Sequence, residues 1–338
     1  MAARLLLGLD SYSYHYAAPV WGSKPAAPLT VEGYLERAAD LGVDGLELAD
    51  MRHFPSTDPA ILEPLRARAR DRGLYVELGT GGVDFDHLRQ TLRLAKWFGT
   101  PVVRTFVSIG RTWGGQEHYA AGLERVVAGL RRIAPVCDEA GVALAIENHQ
   151  DLTAGELVEL LDAVAHPLIG VCWDTGNSLG VLEHPLEGLE LVADRVWTVH
   201  LKSYAVLPHF GGKRASGYCL LGVPVRHNLD MLRRAMAILA ARSPASQLHV
   251  NVESALEHIP VVPQRPGWRE EHVAAAERIV EAFGVAPSRV SELRQEWAPW
   301  VVRPDSRLDE ILSLEDRLVR RSVREARGLV GSGAGASG

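Results

Sequence analysis

Four polar residues stand where apolar runs end, and their types suit metal chemistry. The runs close as Ala-Leu-Ala-Ile-Glu147, Gly-Val-Cys-Trp-Asp174, Trp-Thr-Val-His200 and Val-Asn-Val-Glu253. Three carboxylates and an imidazole brought to one place would repel, and at least one acid would have to take up a proton. A divalent cation removes that conflict. With oxygen and one nitrogen as donors and no thiolate, the set favours Mn²⁺, with Mg²⁺ or Co²⁺ also suited, over structural zinc. Coordination positions left open would accept substrate oxygens. Two residues beyond Glu147 comes His149. Residues two apart on an extended strand face the same side, so His149 is expected at the same mouth as a general base or acid.

The elements needed to gather these residues are legible as a repeat. Amphipathic segments end at Gly42, Gly73, Gly99, Gly141 and Gly284, and a short apolar run follows each. Glycine suits the left-handed position that closes a helix. Eight apolar runs are expected as strands: Leu5–Leu9, Gly45–Leu48, Leu74–Leu78, Val102–Val107, Val142–Ile146, Ile169–Trp173, Val196–Leu201 and Leu248–Val252. Most are continuous, as in parallel strands covered on both faces. Asp58-Pro59 reads as a helix cap followed by proline, and Thr153 with Glu156 as a capping box. Alternating strands and helices allow a closed barrel or an open doubly wound sheet. No glycine-rich phosphate loop follows the first run, where Asp10-Ser-Tyr-Ser-Tyr-His15 stands instead, so the expected fold is a (β/α)8 TIM barrel. It should occupy residues 1–284, followed by a charged helical extension over 285–330 and a disordered Gly/Ala/Ser tail over 331–338.

Composition narrows the function classes. The 338 residues are 47% hydrophobic and 23% charged, with net charge −6 and a pI near 6.1. That balance suits a soluble globular protein and argues against general binding to nucleic acid or anionic membranes. Cys137, Cys172 and Cys219 form no Cys-x-x-Cys pair, and the first two sit in apolar stretches as expected of core residues. The apolar run near the start is too short for a signal peptide, and none approaches a membrane span, so the cytoplasm is the expected compartment.

The Glu, Asp, His, Glu order on the last four strands resembles the xylose isomerase-like superfamily of sugar isomerases, epimerases and dehydratases, shared by endonuclease IV. The resemblance spans about Arg4 to Phe283. It implies that Glu147, Asp174, His200 and Glu253 are metal ligands and that Glu147 and Glu253 also move a substrate proton. Asn177 falls where the family contacts substrate, Lys202 matches the usual strand-seven ending, and Arg104, ending strand four, is a further substrate-binding candidate. Ketose epimerases usually follow the strand-five glutamate with proline, whereas here Asn148-His149 stands. A Glu-x-His pair resembles the large subunit of bacterial C-glycoside deglycosidases, which act on 3-oxo-glucosides and assemble with a small β-type subunit. The expected activity is therefore a metal-dependent lyase of that type. A sugar or sugar-phosphate isomerase or epimerase is the alternative, and endonuclease IV-like DNA repair a remote one.

The loops suit a bulky glycoside substrate. They carry Tyr12, Tyr14, His15, Tyr16 and Trp21 after strand one, Arg111 and Trp113 after strand four, and a long stretch Tyr204–His227 with His209, Phe210, Lys213, Arg214 and Tyr218. An oligomer is expected, with the charged extension as a docking surface for the small subunit.

Overall fold

In the computed structural model, every apolar run read from the sequence becomes a strand, with ends moved by no more than two residues. In chain order they are β1 (Arg4–Asp10), β2 (Gly45–Leu48), β3 (Tyr75–Gly79), β4 (Val102–Thr105), β5 (Ala143–Glu147), β6 (Ile169–Asp174) and β7 (Val196–Leu201). A hairpin of β8 (Tyr204–Pro208) and β9 (Gly217–Leu221) intervenes before β10 (Gln247–Val252) and the short β11 (Ile259–Pro260). Strands β1 to β7 and β10 close into a barrel in the order β1-β10-β7-β6-β5-β4-β3-β2, every neighbouring pair parallel. The structure describes residues 2–109, 116–208, 217–221, 228–255, 259–260, 275, 278–279 and 306–331.

Helices α1 (Val31–Leu41), α2 (Pro59–Asp71), α3 (Phe85–Phe98), α4 (Gln116–Ala140), α5 (Ala154–Val164), α6 (Pro185–Val192) and α7 (Leu229–Arg242) follow successive barrel strands. Their ends carry the expected chemistry. Asp58 accepts from Ala60 N ahead of Pro59, and Thr153 and Glu156 form the reciprocal capping box. Gly42, Gly73, Gly99 and Gly141 all take positive φ, where a side chain would clash with the backbone. Gly284 lies outside the described residues. Among the described residues no helix is long and apolar enough to cross a membrane.

One stretch differs from the sequence reading. The stretch expected as one long loop after β7 contains β8 and β9, which pair antiparallel and join β11 in a three-stranded sheet outside the barrel. Tyr-Ala-Val-Leu and Gly-Tyr-Cys-Leu-Leu have the β-branched, aromatic and apolar character that suits such a pair. Of the loop residues singled out, Arg111, Trp113, His209, Phe210, Lys213 and Arg214 lie outside the described residues, as does the tail beyond Gly331.

The segment read as an extension supplies α8 (Leu308–Val330), which lies against β1, β10 and α7. It buries Leu314, Leu318, Val319, Val323, Ala326 and Leu329 in one helical stripe. Within that stripe the buried Glu315 accepts from Tyr16 N at 2.8 Å and Ala17 N at 3.2 Å. Next to it Asp316 accepts from Tyr14 Oη at 3.0 Å and Arg37 Nη1 at 2.6 Å. Helix α8 thus pins the segment after β1.

Polar side chains fill much of the barrel interior. The Tyr75 ring stacks on His249 at 3.7 Å, and its hydroxyl donates to Asn251 Oδ1 at 2.7 Å. A Cβ at Gly8 would come 1.9 Å from the Tyr75 hydroxyl, and one at Gly45 would meet the ring at 2.3 Å. Both glycines are therefore the space that Tyr75 occupies. Above it Glu77 Oε2 accepts from Thr198 Oγ1 at 3.0 Å and lies 2.8 Å from His249 Nδ1.

Burial pushes the Glu315 carboxyl up to about 8, against the pull of its two backbone donors and of Arg37. A carboxyl raised in the fold contributes stability that is complete below its unfolded value and lost as pH climbs through the folded one. Glu315→Gln should therefore lose ground to the parent at about pH 5 and recover it by about pH 9. Thermal melts across that range test this, and a melting difference that does not vary with pH would contradict it.

Candidate metal centre

Strand register brings the polar strand ends together at the C-terminal face of the barrel. Asp174 on β6 pairs with His200 on β7, and His200 pairs with Asn251 on β10, two residues before Glu253. The β6–β7 register slips by one residue between Val171 and Cys172. The extra residue is Trp197 of β7, and such a bulge re-aims the side chains beyond it on that strand, here His200. On the other side Asp10 of β1 pairs with Glu47 of β2. All of these side chains are at least nine-tenths buried.

His200 is the centre of the cluster. Its Nδ1 lies 3.0 Å from Glu253 Oε2 and 3.7 Å from Glu147 Oε1. Its Nε2 lies 2.7 Å from Glu47 Oε2 and 3.4 Å from Asp10 Oδ2. Lys202 Nζ reaches Glu253 Oε1 at 2.7 Å and Asp174 Oδ2 at 2.9 Å. Arg104 Nε donates to Glu47 Oε1 at 2.9 Å and lies 3.5 Å from Glu147 Oε2.

Neighbouring backbone and amides aim these groups. Asp174 Oδ1 accepts from Gly176 N at 2.7 Å and Asn177 N at 3.1 Å, which turns Oδ2 toward the cluster. The Asn148 side chain accepts from Asp174 N at 2.6 Å and donates to Asp174 O at 3.0 Å, tying the end of β5 to that of β6. Asn177 Nδ2 donates to Glu147 Oε1 at 3.0 Å, and Gln150 donates to Asn177 in turn. Thr175 Oγ1 donates to Lys202 O at 2.7 Å and accepts from Lys202 N at 2.9 Å.

Among the described residues the charges do not balance. Five buried carboxyls face two permanent cations, Arg104 and Lys202. Burial raises the Asp10 carboxyl well above the usual carboxylate range and raises that of Asp174 as well. Burial would raise Glu47 and Glu147 too, but His200 and Arg104 outweigh it and hold both low. For Glu253 burial is outweighed by Lys202 and His200, which bring it to about 2. Asp10 Oδ2 accepts no hydrogen bond from the described residues, and Asp174 Oδ2 and His200 Nδ1 meet their charged neighbours Lys202 and Glu253. One ligand atom each from Glu147, Asp174, His200 and Glu253 falls within 4.8 Å of the others. Surplus negative charge, the unsatisfied Asp10 Oδ2 and this convergence fit a divalent cation.

A cavity of about 670 Å³ opens over the cluster. Glu147, His200, Lys202 and Glu253 line it together with His149, Tyr12, Trp21 and Phe106. The sequence-expected residues divide by position. His149 stands past the end of β5, exposed at the wall, with its ring stacked on Phe106 at 4.7 Å. Arg104 reaches the cavity, but its donors point at Glu47, Thr80 O and Ala49 O. Asn177 is fully buried against Glu147 rather than among the cavity-lining side chains. Asp10, Glu47, Asn148 and Thr175 also belong to the site, outside the four acid and histidine strand ends. Asp10 carries the same signal, an acid ending an apolar run, whereas Glu47 lies inside the short run Gly45–Leu48.

Comparison with known proteins agrees with this architecture. Residues 35–228 match the family described as xylose isomerase-like TIM barrel. A 3-oxo-isoapionate decarboxylase of Pectobacterium atrosepticum is 31% identical over 220 residues, covering 64% of this chain and 76% of that protein. A D-psicose 3-epimerase crystallised with D-fructose superposes with a TM-score of 0.58 at 15% identity, over 96% of this chain and 99% of that one. A xylose isomerase-like TIM-barrel protein of Mycobacterium smegmatis in complex with magnesium gives 0.53 at 15% identity, over 84% and 96%. At these identities the two structures show a shared fold.

Purified chain should carry about one divalent ion, and alanine at Glu147, Asp174, His200 or Glu253 should each lower occupancy. Elemental analysis after exhaustive dialysis measures it. Unchanged occupancy in any one variant would remove that residue from the ligand set.

Proposed function

The chain belongs to the xylose isomerase-like TIM-barrel family, and from that premise we propose that it is a divalent-metal-dependent lyase acting beside the carbonyl of a 3-oxo sugar derivative. The observation that carries this reading is one cavity of about 670 Å³ that joins the carboxylate–histidine cluster to aromatic walls. Such a volume suits a ligand larger than a single sugar ring. Glu147, Asp174, His200 and Glu253 would hold the ion, Mn²⁺ by preference, with Mg²⁺ or Co²⁺ as alternatives. When bound it supplies Lewis acidity toward a carbonyl and a neighbouring hydroxyl.

The protein's own groups do the rest. His149 stands at the wall, beyond the ligands, where it can take the proton from the carbon next to the carbonyl. The electron pair left on that carbon then forms a double bond and expels a group from the adjacent carbon. In the leading reading that group is a carbon-linked aglycone, which takes up a proton as it leaves. Tyr12 and Trp21, in edge-to-face contact at 5.0 Å, and Phe106 against His149 offer apolar faces to the aglycone and the sugar ring. A small β-type subunit belongs to this reading as an accessory.

The resemblance to 3-oxo-isoapionate decarboxylase favours a second reading, loss of carbon dioxide from a 3-oxo sugar acid. The same carbonyl accepts the electron pair, now from a carbon–carboxylate bond. An isomerase or epimerase, by contrast, would return the proton to the same skeleton and release no second product.

Mn²⁺-loaded protein, alone and with a co-expressed small subunit, should release free aglycone from a 3-oxo-C-glucoside. Release of carbon dioxide from a 3-oxo sugar acid without aglycone release would select the second reading. Interconversion of simple ketoses with neither cleavage would overturn the lyase.

His149→Ala should keep its metal and lose roughly 10²–10⁴-fold in turnover, the range for removing a general base. Full activity in that variant would leave the proton to Glu147 and Glu253.

A further inference from the structure

His200 faces acids on both sides of its ring, and a ring can present only one nitrogen to an ion while the other holds a proton. Toward Glu147 and Glu253 it turns Nδ1, at 3.7 and 3.0 Å. Toward the opposite wall it turns Nε2, 2.7 Å from Glu47 Oε2. We propose that Glu47 is the positioning residue of the metal-binding histidine, accepting the Nε2 proton and so keeping the Nδ1 lone pair turned toward Glu147, Asp174 and Glu253. This rests on the metal reading of the cluster and adds a role for a residue on a strand that contributes no ligand.

The surroundings of Glu47 hold it for that task. Its carboxylate is fully buried. Arg104 Nε fixes Oε1 at 2.9 Å, and Asn251 Nδ2 approaches Oε2 at 3.3 Å. Gly79 keeps the space open, since a Cβ there would lie 2.6 Å from Glu47 Oε1 and 2.9 Å from Arg104 Nη2. A carboxylate so restrained can set the ring's orientation, because turning the imidazole would break the short contact and leave Glu47 short of a donor.

The rival arrangement is a second ion. Asp10, Glu47 and His200 also bring ligand atoms within 4.8 Å of one another. Two facts count against it. Both oxygens of Glu47 already face donors, and the adjacent guanidinium repels a cation. The Nε2 side is therefore a hydrogen bond that holds the ring. Such carboxylate–histidine–metal triads fix the tautomer, and losing the outer carboxylate typically weakens metal affinity by roughly 10–100-fold.

Titration of metal-free protein with Mn²⁺, followed by calorimetry or by the signal of free Mn²⁺, tests this without any substrate. Wild type should bind about one ion per chain. Glu47→Ala should bind the same number about 10–100-fold more weakly, and Glu47→Gln, which keeps an acceptor, should fall between them. Nitrogen-15 spectra of the histidine side chains in Mg²⁺-loaded wild type should place the His200 proton on Nε2, its signals assigned by loss in His200→Gln. This last measurement decides the matter even where a Glu47 variant fails to fold. Undiminished affinity in folded Glu47→Ala, or a proton on Nδ1, would overturn the proposal. So would two ions in wild type with one lost from each Glu47 variant. Absence of any Mn²⁺ binding in wild type would instead defeat the metal reading on which it stands.

Discussion

The site is organised by a surplus of buried negative charge. Asp10, Glu47, Glu147, Asp174 and Glu253 converge on one imidazole at the mouth of the barrel, and among the described residues only Arg104 and Lys202 oppose them permanently. Burying an unpaired charge costs several kcal/mol even after relaxation. The fold tolerates the cluster because each acid accepts from a donor, Asp10 through Oδ1 from Tyr12 N at 2.6 Å, and because a cation can complete it. Much of the rest follows from that constraint. Asn177 steadies Glu147, backbone amides hold one face of Asp174, and Arg104 spends its donors on Glu47 and nearby carbonyls rather than on the cavity.

Support for the cluster comes from layers that never touch the cavity. Below it the barrel is filled by Tyr75, His249, Glu77 and Thr198, whose hydrogen bonds leave few polar groups unpaired in a space more often filled by aliphatic side chains. To one side, α8 clamps the segment after β1 through Glu315 and Asp316, some three hundred residues away along the chain. Tyr12, on that segment, lines the cavity. The C-terminal helix and the aromatic wall are therefore mechanically joined. A chemically specialised mouth sits on a framework whose own polar interior is nearly self-satisfied.

Local interactions explain why the barrel could be read in advance. Apolar runs of β-formers, glycines that end helices and the Thr153–Glu156 box act within a few residues, so sequence alone determined the strands, several helix ends, and the three acids and one histidine at the last strand ends. Periodicity could not determine orientation once a strand had ended. The two-residue repeat puts His149 at the same mouth as Glu147, and both line the cavity, but β5 stops at Glu147, so the exposed His149 ring rests on Phe106 rather than in the strand. Only the tertiary structure decided that Asn177 serves Glu147 and that Arg104 serves Glu47. It also decided that the C-terminal segment packs on β1 and β10 and that Asp10 and Glu47 close the far side of His200. These depend on barrel closure, which brings β1 against β10 and residues 10 and 47 against 200, contacts between positions too distant along the chain for any local pattern to record.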